Sequence, residues 1–496
     1  MVFDARLTWA GHIEKVIVKC KKVLNVMRCL AGVDWGASRK ALKGIYDALI
    51  KSVIDYGCIA YRDAAKTTLA KLDVQAQALR ICSGAFHTSP AVAIQVEMDE
   101  MPLTLRREQL TANYWANLQG QDRSHPTRAV IQVCWEHERV KSQSFGWVGD
   151  AIGKEMGLEG KEFSPTVQLP AAPPWDYKEM YIDLGLLEEK QGIGMDKYRV
   201  QRYLMEMYRE DLIIYTDASK PIDKRMGVAY VIPKLKVKIG QRISDDLAVY
   251  TAELVAVWLA LLWVEVNRPG KAVIASDSSS ALISIKTCQS KSRQDIVIEI
   301  IQVANNLLQS GTEITLIWVP AHIVVVGNEF ADRCAKQAAG NSNVDIEVNY
   351  SKAEIKSMVK NIVKGKWQTL WDSGQTGGQF FYIQNKVGKG RNMNRSKEEE
   401  DVLSRMRYGH TRLNKTLVIM KQHADCNCEF CDSPESVEHV ILQCPKYQEE
   451  RQSLSSQLQR KQLRLNLEDI LQRSSGEICF KYIFSVLRNT GLIKTI

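Results

Sequence analysis

No stretch of this sequence stays apolar long enough to cross a bilayer. The longest uninterrupted run, Leu254 to Val264, has 11 residues, whereas a span needs about 20. The opening "MVFDARLTW" lacks the charged-then-apolar layout of a signal peptide, so no membrane partner is expected. A disulfide framework is missing too. Of the 12 cysteines, eight are scattered and four fall between Cys426 and Cys444, which suits a reducing, intracellular compartment and one local metal site. No repeat of fixed period is present. No compact run of five or more basic residues argues for nuclear import, so nucleus and cytoplasm stay equally open.

What is present describes a soluble, globular chain. The 496 residues are 45% hydrophobic and 25% charged, enough for roughly three domains of about 150 residues. The net charge of +9 leans mildly towards a polyanionic partner.

Residues 1–140 read as helical, with apolar residues at helix spacing in "HIEKVIVKCKKVLNVMRCL" and "ALKGIYDALIKSVIDYG". A solvated surface accounts for the basic residues on the other faces as well as a nucleic-acid-facing role does. Residues 141–208 form a linker and connecting segment containing the proline-bearing "FSPTVQLPAAPPWDY". From 209 to 341 the pattern changes to short β-rich runs, "DLIIYTDAS", "MGVAYVI", "KVKIGQRI", "KAVIASDS" and "EITLIWVPA", with helical stretches after the third, fourth and fifth. That alternation predicts an α/β fold, a mixed sheet with helices packed on it. A basic helical connector (342–400), a cysteine-rich module (401–450) and an amphipathic helical tail (451–496) follow.

Four carboxylates in the β-rich region have the right placement for metal chemistry. Asp217 and Asp277 each end an apolar run, Glu253 opens the long apolar helix between them, and Asp332 shares a helix face with Asn328 and lies ten residues beyond His322. An aspartate after a strand is ordinarily a turn or cap residue, and a glutamate in a first helical turn favours the helix dipole. Four acids gathered at one sheet edge would repel one another unless cations were held between them, and two Mg²⁺ ions, or Mn²⁺ in their place, meet that need.

The motifs "YTDAS", "YTAELVAVWLAL", "SDSSSAL" and "WVPAHIVVVGNEFADRCAKQAA" resemble, in order and spacing, the type 1 ribonuclease H domain. The resemblance implies a five-stranded mixed sheet flanked by helices and hydrolysis of the RNA strand of RNA–DNA hybrids. It makes Asp217, Glu253, Asp277 and Asp332 the Mg²⁺ ligands and His322 the mobile group that assists proton transfer or product release. Selectivity requires a reader of the 2′-hydroxyl, for which Ala218, Ser219 and Asn328 are candidates. One departure stands out. Where the family has glycine in the loop after the histidine, this chain has Val324, with two more valines before Gly327, and β-branched residues stiffen such a loop.

"CEFCDSPESVEHVILQC" carries the spacing C-x2-C-x7-H-x4-C through Cys428, Cys431, His439 and Cys444, a donor set suited to one structural Zn²⁺. Cys426 is an alternate ligand or spare. The cluster and its flank "RMRYGHTRLNKT" resemble the C-terminal zinc-knuckle-like region of non-LTR retrotransposon polyproteins of the jockey and I type. Residues 1 to about 135 resemble the segment beyond the reverse transcriptase palm in the same elements. The palm's Tyr-x-Asp-Asp turn is absent, so polymerisation is not expected. Element RNA or DNA joins the hybrid as a candidate partner. Arg405, Arg407, His410, Arg412 and Lys415 form a basic run suited to phosphates. Trp367 and Trp371, four apart, suit core packing better than base stacking. The alternative to an enzyme is a non-enzymatic or degenerate nucleic-acid-binding fragment of the element.

Overall fold

The computed structural model describes every residue except 33–35, 123, 130–144, 167–171, 174–175, 190–195, 222, 322, 324, 375–377, 391–394 and 473–475. The chain divides into two compact units, one formed chiefly by Met1–Thr111 with Lys360–Ile496 and the other chiefly by Gly146–Val359. Met1–Thr111 of the N-terminal helical region and the cysteine-rich C-terminal part therefore belong to one unit, although some 250 residues separate them in sequence, while the helical region from Ala112 on falls in the second unit.

The second unit is built on a six-stranded mixed sheet. Its strands are β1 (Tyr181–Asp183), β2 (Leu212–Ser219), β3 (Met226–Ile232), β4 (Val237–Ile243), β5 (Lys271–Ser276) and β6 (Glu313–Trp318), in the order β1-β6-β5-β2-β3-β4. β2, β3 and β4 run antiparallel to their neighbours in a meander, while β2, β5, β6 and β1 pair in parallel. Parallel neighbours need crossovers, and helices supply them. Five strands coincide with the β-rich runs; the sixth, β1, exceeds the five-strand expectation. It comes from the connecting segment and has only three residues, too few to show a period in sequence. Its place is fixed by Ile182 in the core and by the buried Asp183 carboxylate, which accepts the Tyr203 and Tyr208 hydroxyls at 2.9 and 2.5 Å.

The helix Val249–Asn267 packs on β2, β3 and β5 and on the helix Gln294–Gln309. It is long and apolar enough to match a membrane span by composition, but Leu254, Val257, Ala260, Leu261 and Val264 are fully buried in the sheet's own core. The helix Val326–Ala339 packs on β2, β3 and β4. Gly227 and Gly240 let its backbone come close, since a Cβ at Gly227 would collide with the Ala335 carbonyl oxygen and lie 2.5 Å from the Ala339 nitrogen.

In the first unit, buried ion pairs tie distant segments together. Glu97 bridges Arg39 (3.4 Å) and Arg407 (3.0 Å), and Arg39 also reaches Glu400 (3.4 Å) and Ser404 Oγ (2.7 Å). All four charged side chains are at most 1% exposed. Such a network specifies which segments meet, because an ion left without its partner in this interior is strongly unfavourable. Trp367 and Trp371 are buried, and Trp371 donates its indole N–H to the Gln384 carbonyl at 2.9 Å, so this pair is part of the core.

Gly227→Ala is expected to destabilise the second unit by roughly 1–3 kcal/mol through overpacking. Gly270→Ala, where an added Cβ meets nothing within 4 Å, is the matched control. Thermal melts of the two variants check this.

Candidate active site

Strand register brings the first two acids together. Thr216 of β2 is paired in parallel with Ser276 of β5, so the residues that follow, Asp217 within β2 and Asp277 just beyond β5, lie side by side, roughly one strand spacing of 4.8 Å apart. Glu253 arrives from the neighbouring helix. One carboxylate oxygen from each of Asp217, Glu253 and Asp277 lies within 4.8 Å of the other two.

Glu253 does not occupy the first turn of its helix. The helix begins at Val249, with no acidic residue in the first turn, which removes the helix-terminus explanation for the charge. Its side chain is 6% exposed, and its Oε2 is buried with no hydrogen-bond partner among the described residues. Burial first, then the charges of Asp217 and Asp277, push its pKa well above the usual carboxylate range. The same causes, burial followed by Asp277, push Asp217 up to about 7, although the Ala218 amide donates to its Oδ1 at 2.6 Å. Three carboxylates in this setting resist sharing negative charge, and Glu253 carries a buried oxygen with no partner among the described residues. A divalent cation relieves both, and an all-oxygen donor set suits Mg²⁺.

Asp332 stands outside this trio. It is half-exposed and paired with Lys336 at 2.7 Å, though its charge still acts on Asp217. Lys336 at i+4 was visible in sequence as a helix ion pair with Asp332. Its consequence for the site was not. His322 and Val324 lie outside the described residues. Asn328 is buried, donates from Nδ2 to Asp277 Oδ2 at 3.5 Å, and leaves its Oδ1 without a partner among the described residues. Trp318, at the end of β6, donates its indole N–H to the Asp277 carbonyl at 3.0 Å and steadies that turn. Ser219 is half-buried at the end of β2, opposite Gly227.

A second donor cluster lies in the other unit. Cys428, Cys431, His439 and Cys444 each present one ligand atom within 4.8 Å of the rest. A tight turn with Asp432 at φ 57° returns the chain, Cys428 N–H donating to the Ser433 carbonyl at 2.8 Å. Tetrahedral zinc with Zn–S near 2.3 Å holds two sulfurs about 3.8 Å apart; Cys428 and Cys444 Sγ are separated by 3.9 Å, and Cys431 Sγ lies 3.2 Å from His439 Nε2. Burial, with Cys428 beside it, raises the Cys444 thiol to about 11, so a thiolate there needs a cation. Cys426 is not part of the cluster.

The basic run divides. Arg407 is fully buried and spends its donors on Glu97, Gln384 and the Leu471 carbonyl, so it is a core residue and not a phosphate contact. Arg405 is half-buried, donating to the Gly84 carbonyl at 2.7 Å with its guanidinium 4.7 Å from the Phe86 ring. His410 lies 3.3 Å from the Thr88 hydroxyl, and burial lowers its pKa. Only Arg412 and Lys415 are exposed.

Folding raises Asp217 from its ordinary 3.8 to about 7 and so favours the protonated carboxyl. That stability is complete below about pH 4 and is lost as pH rises through 7. In Mg²⁺-free buffer, Asp217→Asn should melt a few degrees above wild type at pH 7.5 and match it near pH 4, as differential scanning would show. No curated protein matches the chain. Residues 209–340, which hold all four acids and five of the six strands, match the family model described as RNase H, and this part of the chain is an RNase H domain.

Proposed function

We propose that the chain is a ribonuclease H that hydrolyses the RNA strand of RNA–DNA hybrids with two Mg²⁺ ions, Mn²⁺ being an alternative. The observation that carries the reading is the convergence of Asp217, Glu253 and Asp277, each with a carboxylate oxygen within 4.8 Å of the others, together with a Glu253 Oε2 that is buried and has no partner among the described residues. Those three would hold metal, and Asp332 would join them on release from Lys336. When bound, the ions would supply a hydroxide nucleophile at neutral pH and positive charge opposite the phosphorane and the departing 3′ oxygen. The protein's own part is positional. Parallel pairing holds two carboxylates on adjacent strands, Trp318 fixes the Asp277 turn, and Asn328 offers an amide oxygen able to accept a 2′-hydroxyl, with Ser219 nearby in sequence to Asp217. His322 is assigned proton transfer or product release.

The flanking regions, on their resemblance, derive from a non-LTR retrotransposon polyprotein. Cys428, Cys431, His439 and Cys444 would hold one structural Zn²⁺, and Arg412 and Lys415 would contact phosphates. The chain is assigned to a reducing intracellular compartment.

Wild type should release 5′-phosphate and 3′-hydroxyl fragments from a labelled hybrid in Mg²⁺, and Asp277→Asn should lose at least about a hundredfold in rate. Binding without cleavage by either protein would favour the non-enzymatic reading, which the Lys336–Asp332 pair supports. Metal analysis should find about one zinc per chain, lost in Cys428→Ser together with several degrees of melting temperature.

A further inference from the structure

The helix that carries Glu253 starts without a cap of its own. Its N-cap is Ala248, which has no side-chain acceptor for the free N–H groups of the first turn. A carboxylate from elsewhere holds the start of the helix by other contacts. Glu354 lies in the helix Lys352–Ser373, beyond the residues matched to the RNase H family. Its Oε1 accepts the Ala248 N–H at 3.0 Å and the Thr251 hydroxyl at 2.6 Å. The other oxygen, Oε2, accepts the Ser351 N–H (2.9 Å), the Ser351 hydroxyl (2.8 Å) and Arg293 Nη1 (3.2 Å). Arg293 is held in turn by Asp295 at 2.7 Å and by the Asn349 carbonyl at 3.0 Å. Glu354 is 4% exposed. With five donors on two oxygens, this carboxylate is fully engaged within the protein and faces no ligand.

Its placement matters because the three acids of the site are not equally secured. Asp217 lies within β2, paired with Ala229 of β3, and Asp277 directly follows β5. Glu253 depends on a helix whose first turn is anchored from outside, and it lies only two residues beyond Thr251. We infer that Glu354 is a positioning residue for the metal site: by clamping Ala248 and Thr251 it fixes the start of the Glu253 helix, so the segment after the RNase H domain is required to complete the carboxylate trio. This rests on the proposed Mg²⁺ role of Glu253.

The test uses the full chain with Glu354→Ala, Glu354→Gln, Ser351→Ala and Thr251→Val. Three readouts apply: amide exchange at residues 251–254, Mg²⁺ affinity by calorimetry, and hybrid cleavage. Glu354→Ala should speed exchange there, weaken Mg²⁺ about tenfold and lower kcat with KM for the hybrid unchanged. Glu354→Gln, which offers one oxygen to Ala248 and Thr251 but sets an NH₂ against the donors of Oε2, should restore part of the loss. Ser351→Ala removes the hydroxyl that donates to Oε2 and accepts the Glu354 N–H at 3.3 Å, leaves the Oε1 bonds to Ala248 and Thr251 in place, and should cost stability with Mg²⁺ affinity kept. Should Glu354→Ala not fold, the near-isosteric Thr251→Val reads the same link, with a severalfold loss of Mg²⁺ affinity expected. Wild-type exchange and Mg²⁺ affinity in folded Glu354→Ala, or in Thr251→Val when it stands alone, would overturn the inference. So would an equal Mg²⁺ loss in a Ser351→Ala variant of matched stability. If wild type neither binds Mg²⁺ nor cleaves, the proposed function fails and exchange alone decides: acceleration confined to 251–254 upholds the positioning role, and its absence refutes it.

Discussion

Repulsion among Asp217, Glu253 and Asp277 is the constraint around which the second unit is organised. Three carboxylates that each place an oxygen within 4.8 Å of the others would move apart or stay protonated in a pliable structure. Burial and the charge of neighbouring carboxylates push the pKa of Asp217 and Glu253 upward in this arrangement. The unfavourable arrangement persists because the elements holding it are rigid for unrelated reasons. β2 and β5 are paired along their lengths, and the helix Val249–Asn267 is seated by fully buried apolar side chains. A functional site commonly concentrates such local strain, with the surrounding core offsetting it.

Rigidity in turn depends on contacts that are small individually. Gly227 admits the Val326–Ala339 helix to the sheet, Trp318 pins the turn at Asp277, and Glu354 holds the Ala248 N–H and the Thr251 hydroxyl at the helix start. The other unit follows a parallel logic with charges. Glu97, Arg39, Glu400 and Arg407 meet in a dry interior, and the desolvation of each is tolerable only while the others are present. This explains why two ends of a long chain form one body.

Much of the α/β unit was legible because its signals are local. Runs such as "LIIY" and "AVIAS" end at the acids, and their β-branched residues report strands directly. The fourfold metal-ligand spacing around Cys428 was legible for the same reason, since its donors lie within a short loop. Less local features escaped. Three-residue β1 has no measurable period. The Glu253 helix begins at Val249, ahead of the apolar run, and Ala248 carries no capping signal to mark that start. Arg407 looked like part of a phosphate-binding run, since sequence shows a charge but not whether water reaches it.

The order of acids, the apolar runs between them and the Cys–His spacing were settled by sequence, because each depends on neighbours a few residues away. Tertiary structure alone decided which carboxylates share space, that Asp332 turns to Lys336, and that Arg407 is buried. It also decided that a glutamate beyond the RNase H domain steadies Glu253. Those outcomes depend on strand register and on competition for hydrogen-bond partners between segments far apart in the chain, and no local pattern encodes that competition.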